Sequence, residues 1–259
     1  MLIIYYLILL IIAIIPVAGL LVFIYFQDKY QKEPIGSLCK AFFGGFLSVP
    51  MDIILVTFFI EFTFGLIPIF NQTAFYNAFF CAGIPEELCK FIIFMIFIWR
   101  DKNFDEFFDG IVYATFISLG FACVENVKYV LIDYPDAGIY VGISRALTAV
   151  PGHMLFGILM GYFLSLAKFN PKKRALYIIL GLLIAMIGHG LYDWLCFFPI
   201  NLIETFGDNM YAIIMVLALF AFFIVFYVVL WIIGIVLIRK HQKKSKLQAE
   251  AAITNNTTN

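Results

Sequence analysis

The stretch FYNAFFCAGIPEELCKFIIFMIFI, residues 75–98, decides the fold class. It has the length and apolar content of a membrane-spanning helix, yet Glu86, Glu87 and Lys90 sit near its middle. An ionisable side chain at bilayer depth costs about 2.5–3.5 kcal/mol on the mildest scale, so two adjacent carboxylates mark a functional site. Glu125, His153, His189 and Asp193 lie in other apolar runs. Acids and histidines gathered within lipid point to a proton-handling, hydrolytic site.

Composition extends this reading to the whole chain. Of 259 residues 64% are apolar and 13% charged, with a mean hydropathy of +1.00. A soluble domain carries roughly 25% charged residues, so most of this surface faces bilayer. We expect an all-α, polytopic transmembrane helical bundle of about seven spans: 2–26, 41–66, 75–98, 109–131, 139–167, 175–198 and 210–238. The fifth and seventh are long enough to tilt or break. The second, punctuated by Gly44, Gly45, Pro50, Gly65 and Pro68, reads as one helix or as a tight helical pair. Residues 1–238 form a single integral-membrane domain with a motif-bearing core at 28–195, and 239–259 form a basic cytoplasmic tail expected to be disordered. The apolar N-terminal run has no Lys or Arg before Lys29 and reads as the first helix, not a cleaved signal. The formal net charge of zero gives no hint of a nucleic-acid partner. The five scattered cysteines read as small apolar packing residues.

Loop charges set the orientation. Lys29, Lys32 and Lys40 mark the first connection, Arg100 and Lys102 the third, Lys168, Lys172, Lys173 and Arg174 the fifth, and the C-terminal tail is basic again. The alternate connections have no Lys or Arg. Positive loops stay in the cytoplasm, which predicts an outside N-terminus and an inside C-terminus. Lys90, Lys128 and Arg145 are the basic residues left within or beside spans, and they predict ion pairs inside the bundle.

Spacing suggests partners for the buried acids. Glu86 and Lys90 are four apart in the favourable order on one helix face, while Glu87 points about 100° away and is expected to seek another partner. Pro85 removes a helical hydrogen bond beside them. Glu125 has Lys128 one turn on and Tyr129 on its own face, so Lys128 is its expected neutraliser. Arg145 precedes Pro151-Gly152-His153, which predicts a bent backbone near that histidine. His189 and Asp193, also four apart, let a carboxylate fix an imidazole tautomer. Gly188 and Gly190 leave room for a close backbone approach to His189. By helical rise, Glu86, Glu125 and His189 all lie roughly 10–15 Å below the outer surface. Asp52 in the second span receives no role.

The ordered set Glu86-Glu87-x-x-Lys90, Phe121-x-x-x-Glu125-Asn126, His153 and His189-x-x-x-Asp193 closely resembles the motifs of the PrsW-type intramembrane proteases. Asp28-Lys29-Tyr30-Gln31-Lys32-Glu33-Pro34 and Asp109-Gly110-x-x-Tyr113 resemble further parts of that pattern. The related CAAX prenyl endopeptidases typically have His where this chain has Glu125, which favours the PrsW branch. The resemblance implies a multi-pass protein of the bacterial plasma membrane that cuts a single-span membrane protein, such as an anti-sigma factor, near the outer membrane face. The catalytic candidates are Glu86, Glu87, Glu125, His153 and His189, supported by Lys90, Asn126, Arg145 and Asp193. Without an H-E-x-x-H motif, a metal-free route with a glutamate base is the favoured expectation. The variant is a zinc held by Glu86, Glu125, His153 and His189. The competing class is a proton-coupled transporter, which predicts inverted repeats that the sequence does not display.

Overall fold

A computed structural model describes residues 2–64, 73–207 and 209–257. The described residues are helical from end to end, with short connections. In chain order the helices are α1 (Leu2–Gln27), α2 (Ile35–Phe64), α3 (Ala74–Ala78), α4 (Ile84–Phe97), α5 (Asp109–Val127), α6 (Gly138–Leu147), α7 (Ala149–Phe169), α8 (Arg174–Phe206) and α9 (Met210–Thr257). Among the described residues six helical stretches are long and apolar enough to cross a membrane. The third of the seven expected spans is present as a run of helix from Ala74 to Phe97, but its three charges set it apart from those six.

The bundle is built around α5, which is buried along almost its whole length. Glycine makes that possible. A Cβ on Gly45 of α2 would lie 2.1 Å from the Ile117 carbonyl oxygen, and one on Gly120 of α5 would lie 2.0 Å from that of Phe42. The glycines of the second span therefore serve close helix packing and not a turn, so α2 is one helix running through Pro50 and not a helical pair. Gly65 and Pro68 lie outside the described residues. On the opposite, lipid-facing surface α1 and α9 present rows of exposed Leu, Ile and Phe side chains, as expected where the solvent is hydrocarbon.

Two prolines shape the helices that carry the acids and histidines. Pro85 lacks an N–H and crowds the turn before it, and the chain widens into a π-helical turn at Phe79–Gly83. The expected break in the fifth span falls at Thr148, whose φ of −124° and ψ of −68° separate α6 from α7. Pro151 leaves the Leu147 carbonyl without its helical donor. The Tyr227 hydroxyl of α9 lies 3.1 Å from that oxygen and 2.9 Å from the Thr148 carbonyl.

The basic C-terminal segment corrects an expectation. It continues α9 as helix to Thr257 where a disordered tail was predicted. Its Lys, Gln, Ala and Glu residues are good helix formers, and it has partners to pack on. Gln242 donates to the Gln27 carbonyl at 2.6 Å, and Ser245 and Gln248 accept from the amides of Phe108 and Phe107, each at 3.0 Å.

One approach fixes the site directly. A Cβ on Gly83 would lie 2.6 Å from the Gly190 nitrogen and 2.7 Å from its Cα, so α4 begins backbone-to-backbone against α8 beside His189. Gly83→Ala should cost about 1–3 kcal/mol in overpacking and lower proteolytic activity more than tenfold by prising Glu87 from His189. Thermal unfolding and a cleavage assay on the purified variant measure both.

Candidate active site

Five helices deliver the polar residues to one layer. The π turn and Pro85 place Glu86 and Glu87 in the first turn of α4. Glu125 and Asn126 end α5, Arg145 lies in the last turn of α6, His153 sits one turn into α7, and His189 and Asp193 share a face of α8. Glu86, Glu87 and both histidines are buried, with Glu86 6% exposed and Glu87 fully covered, while Glu125 is half-buried.

Lys90 is the hub. Its ammonium donates to Glu86 Oε2 at 3.1 Å and to Glu87 Oε1 at 2.8 Å, contacts His153 Nδ1 at 3.1 Å, and lies 4.1 Å from the centre of the Phe121 ring. Glu86 pairs with Lys90 as its spacing predicts, and Glu87 does so too while keeping the further partner expected of it. Residues three and four positions back both flank a long, flexible lysine stem, which reaches each. Glu87 also meets His189 Nδ1 at 3.0 Å, while His189 Nε2 lies 3.2 Å from Asp193 and 3.9 Å from Glu86. The predicted His189–Asp193 pair is therefore formed.

Glu125 pairs differently from expectation. Its Oε2 accepts from Arg145 Nη2 at 2.7 Å and meets His153 Nε2 at 2.9 Å. Lys128 turns outward and bonds Asp133 at 2.5 Å, because the helix widens to a π turn over Lys128–Asp133 and carries that side chain off the Glu125 face. Arg145 Nε donates to Asn126 Oδ1 at 2.7 Å, and Asn126 Nδ2 donates to the Ala13 carbonyl of α1 at 2.8 Å. A hydrogen-bonded chain so runs from α1 through Arg145, Glu125, His153 and Lys90 to the glutamates and His189. Two neighbours of this chain received no role from the sequence. Tyr129 lies under Arg145, its ring centre 4.2 Å from the guanidinium carbon. Asp52 of α2 has a buried oxygen without a partner and feels the charges of Glu86 and Lys90. The only sequence sign of Asp52 was an acid inside an apolar run.

The network borders a cavity of about 410 Å³ lined by Glu86, Glu125, Arg145, His153, His189 and Asp193 among others. Glu86 lines it and Glu87 does not. Ligand atoms of Glu86, Glu87, His153 and His189 all lie within 4.8 Å of one another. This set differs from the expected metal group in holding Glu87 where Glu125 was named, Glu125 being engaged by both Arg145 and His153.

A polar cavity with paired acids and histidines, sunk in a helical membrane bundle, defines a membrane-embedded hydrolytic site. Residues 33–238 match the family described as PrsW family intramembrane metalloprotease. The chain is 33% identical to a Protease PrsW of Clostridioides difficile over 90% of its own length and 91% of the relative's. It is 36% identical to that of Geobacillus kaustophilus, covering 70% and 76%, and 33% identical to that of Bacillus subtilis, covering 70% and 78%. No solved structure matches. The chain belongs to the PrsW family: it is an intramembrane protease, a multi-pass protein of the bacterial cell membrane acting on membrane proteins within the bilayer. Membership decides between proteolysis and the transporter alternative.

The family description also implies a metal, and the residues fit one. Two imidazoles and two carboxylates are a transition-metal donor set, and Glu87 Oε2 is buried without a hydrogen-bond partner.

Proposed function

We propose that the protein cleaves a single-span membrane protein, such as an anti-sigma factor, near the outer membrane face, with Glu86 as the proton acceptor. The observation that carries this reading is the burial of Glu86, Glu87, His153 and His189 together beside a cavity that Glu86 alone of the two adjacent glutamates lines. The loop charges, with an outside N-terminus and inside C-terminus, support an outer-half position for that cavity.

Glu87, His153 and His189 would hold a divalent ion such as zinc, the two-histidine, one-carboxylate set of catalytic sites. When bound, the ion supplies Lewis acidity and lowers the pKa of a water. Glu86 faces the cavity and takes the proton of the attacking water. Asp193 orients the His189 ring. Glu125 holds His153 and is itself fixed by Arg145, which keeps its carboxylate out of the ligand set. Lys90 balances the adjacent glutamates and limits their mutual repulsion. The metal-free glutamate route expected from the sequence is the second reading, favoured by the ammonium of Lys90 already bridging Glu86, Glu87 and His153.

Purified protein in detergent, assayed on a single-span substrate with its soluble flank marked, separates the readings. Stoichiometric metal, loss of cleavage on exhaustive chelation and recovery on adding zinc are expected. Full activity in a metal-free preparation would establish the glutamate route instead. Cuts on the face bearing the basic loops would overturn the outer-face assignment.

A further inference from the structure

The two sequence motifs that proteolysis leaves unused meet at the other end of α5, roughly 24 Å of helix from Glu125. Asp28 and Glu33 come from the α1–α2 connection, and Glu106 and Asp109 from the segment that opens α5. All four are buried, at 0%, 3%, 4% and 0% exposure. The Glu33 amide donates to Asp28 Oδ2 at 3.2 Å, and Asp109 Oδ2 accepts from the amides of Asp105 at 2.9 Å and Glu106 at 2.6 Å. The Tyr113 hydroxyl donates to Glu33, whose carboxyl also contacts that of Asp109. Ser245 of the α9 extension reaches Glu106.

Lys32 acts on Asp28 through space, but no cation is bonded to this group among the described residues. Lys32, close in sequence, instead bonds the Tyr25 carbonyl and lies over the Tyr25 ring. Three oxygens, Asp28 Oδ1, Glu106 Oε1 and Asp109 Oδ1, are buried without any hydrogen-bond partner. Burial pushes the carboxyls of Asp28, Glu33 and Glu106 up to about 6, about 7 and about 8 respectively, as expected where charge lacks compensation. A proton shared between Glu33 and Asp109 settles that one contact and leaves Asp28 Oδ1 and Glu106 Oε1 orphaned. Buried orphans of this kind call for an ion or a water.

We propose that this junction binds a hard divalent cation, magnesium or calcium, through the carboxylates of Asp28, Glu33, Glu106 and Asp109. The donors are all oxygen, the chemistry of hard cations and not of zinc. It is thus distinct from the Glu86 cluster, with its two imidazoles. Asp28, Glu33 and Glu106 lie on connecting segments between helices. Binding there ties together the α1–α2 connection, the start of α5 and, through Ser245, the α9 extension.

The full-length protein in detergent, stripped of metal, is titrated with magnesium and with calcium by calorimetry and followed by thermal unfolding. Saturable binding of at least one of the two ions and a melting temperature raised by several degrees are expected. Asp109→Asn keeps the oxygen that caps Asp105 and Glu106 and should weaken binding at least tenfold. Asp28→Asn, on a loop, gives the same comparison should Asp109→Asn fail to fold. Glu86→Gln should bind as the wild type does. No saturable binding, unaltered affinity in the junction variants, or loss confined to Glu86→Gln would each overturn the proposal.

Discussion

Glu86→Gln should abolish measurable cleavage of a co-expressed single-span substrate while leaving the protein folded and in the membrane. Glutamine keeps the shape and an oxygen able to accept from Lys90 at the present 3.1 Å, so packing changes little. What is lost is the proton acceptor facing the cavity. General-base contributions run to about 10²–10⁴-fold in rate, enough to remove the product band from an immunoblot. The parallel Glu87→Gln variant tests a different function. Glu87 is fully covered and bonds both Lys90 and His189, so its loss should weaken metal retention as well as activity. Cleavage by Glu86→Gln at the wild-type rate would remove Glu86 from the mechanism.

Lys90→Met should be the most destabilising single change in the site. The ammonium is 1% exposed and is the sole Lys or Arg ion-paired to Glu86 or Glu87 among the described residues. Methionine fills most of the space but strands two carboxylates in a low-dielectric interior. Breaking a buried ion pair from one side typically costs about 3–5 kcal/mol, chiefly because of the charge left behind. Adding Glu87→Gln to Lys90→Met removes one stranded charge and should recover much of that loss. Thermal unfolding in detergent, in metal-free buffer, measures the single and double variants. Equal stability of Lys90→Met and the wild type would mean that some other cation balances the glutamates.

The residues themselves show where sequence reasoning reaches and where it stops. Buried acids and histidines in apolar runs announced the site because lipid makes such residues costly. The His189–Asp193 pair was legible because residues four apart on a helix share a face. The same rule misled at Glu125. It nominated Lys128, but a π turn rotates Lys128 toward Asp133, and the true partner, Arg145, arrives from another helix. The glycines of α2 looked like punctuation and proved to be contact surfaces for α4 and α5. Nothing local distinguishes those two uses of glycine, since both need only a missing Cβ.

The sequence by itself determined a multi-pass helical membrane protein and nominated the acids and histidines that the structure brings together. Those follow from hydropathy, which is a local property. Tertiary structure alone decided the pairings between helices: Lys90 with His153, Glu87 with His189, and Glu125 with Arg145 and His153. It also decided that Glu86 faces the cavity and that the motifs around Asp28 and Asp109 converge on a second buried cluster. Such contacts join residues 19 to 215 positions apart through side chains from different helices. Helix packing sets them, and periodicity along one helix carries no information about its neighbours.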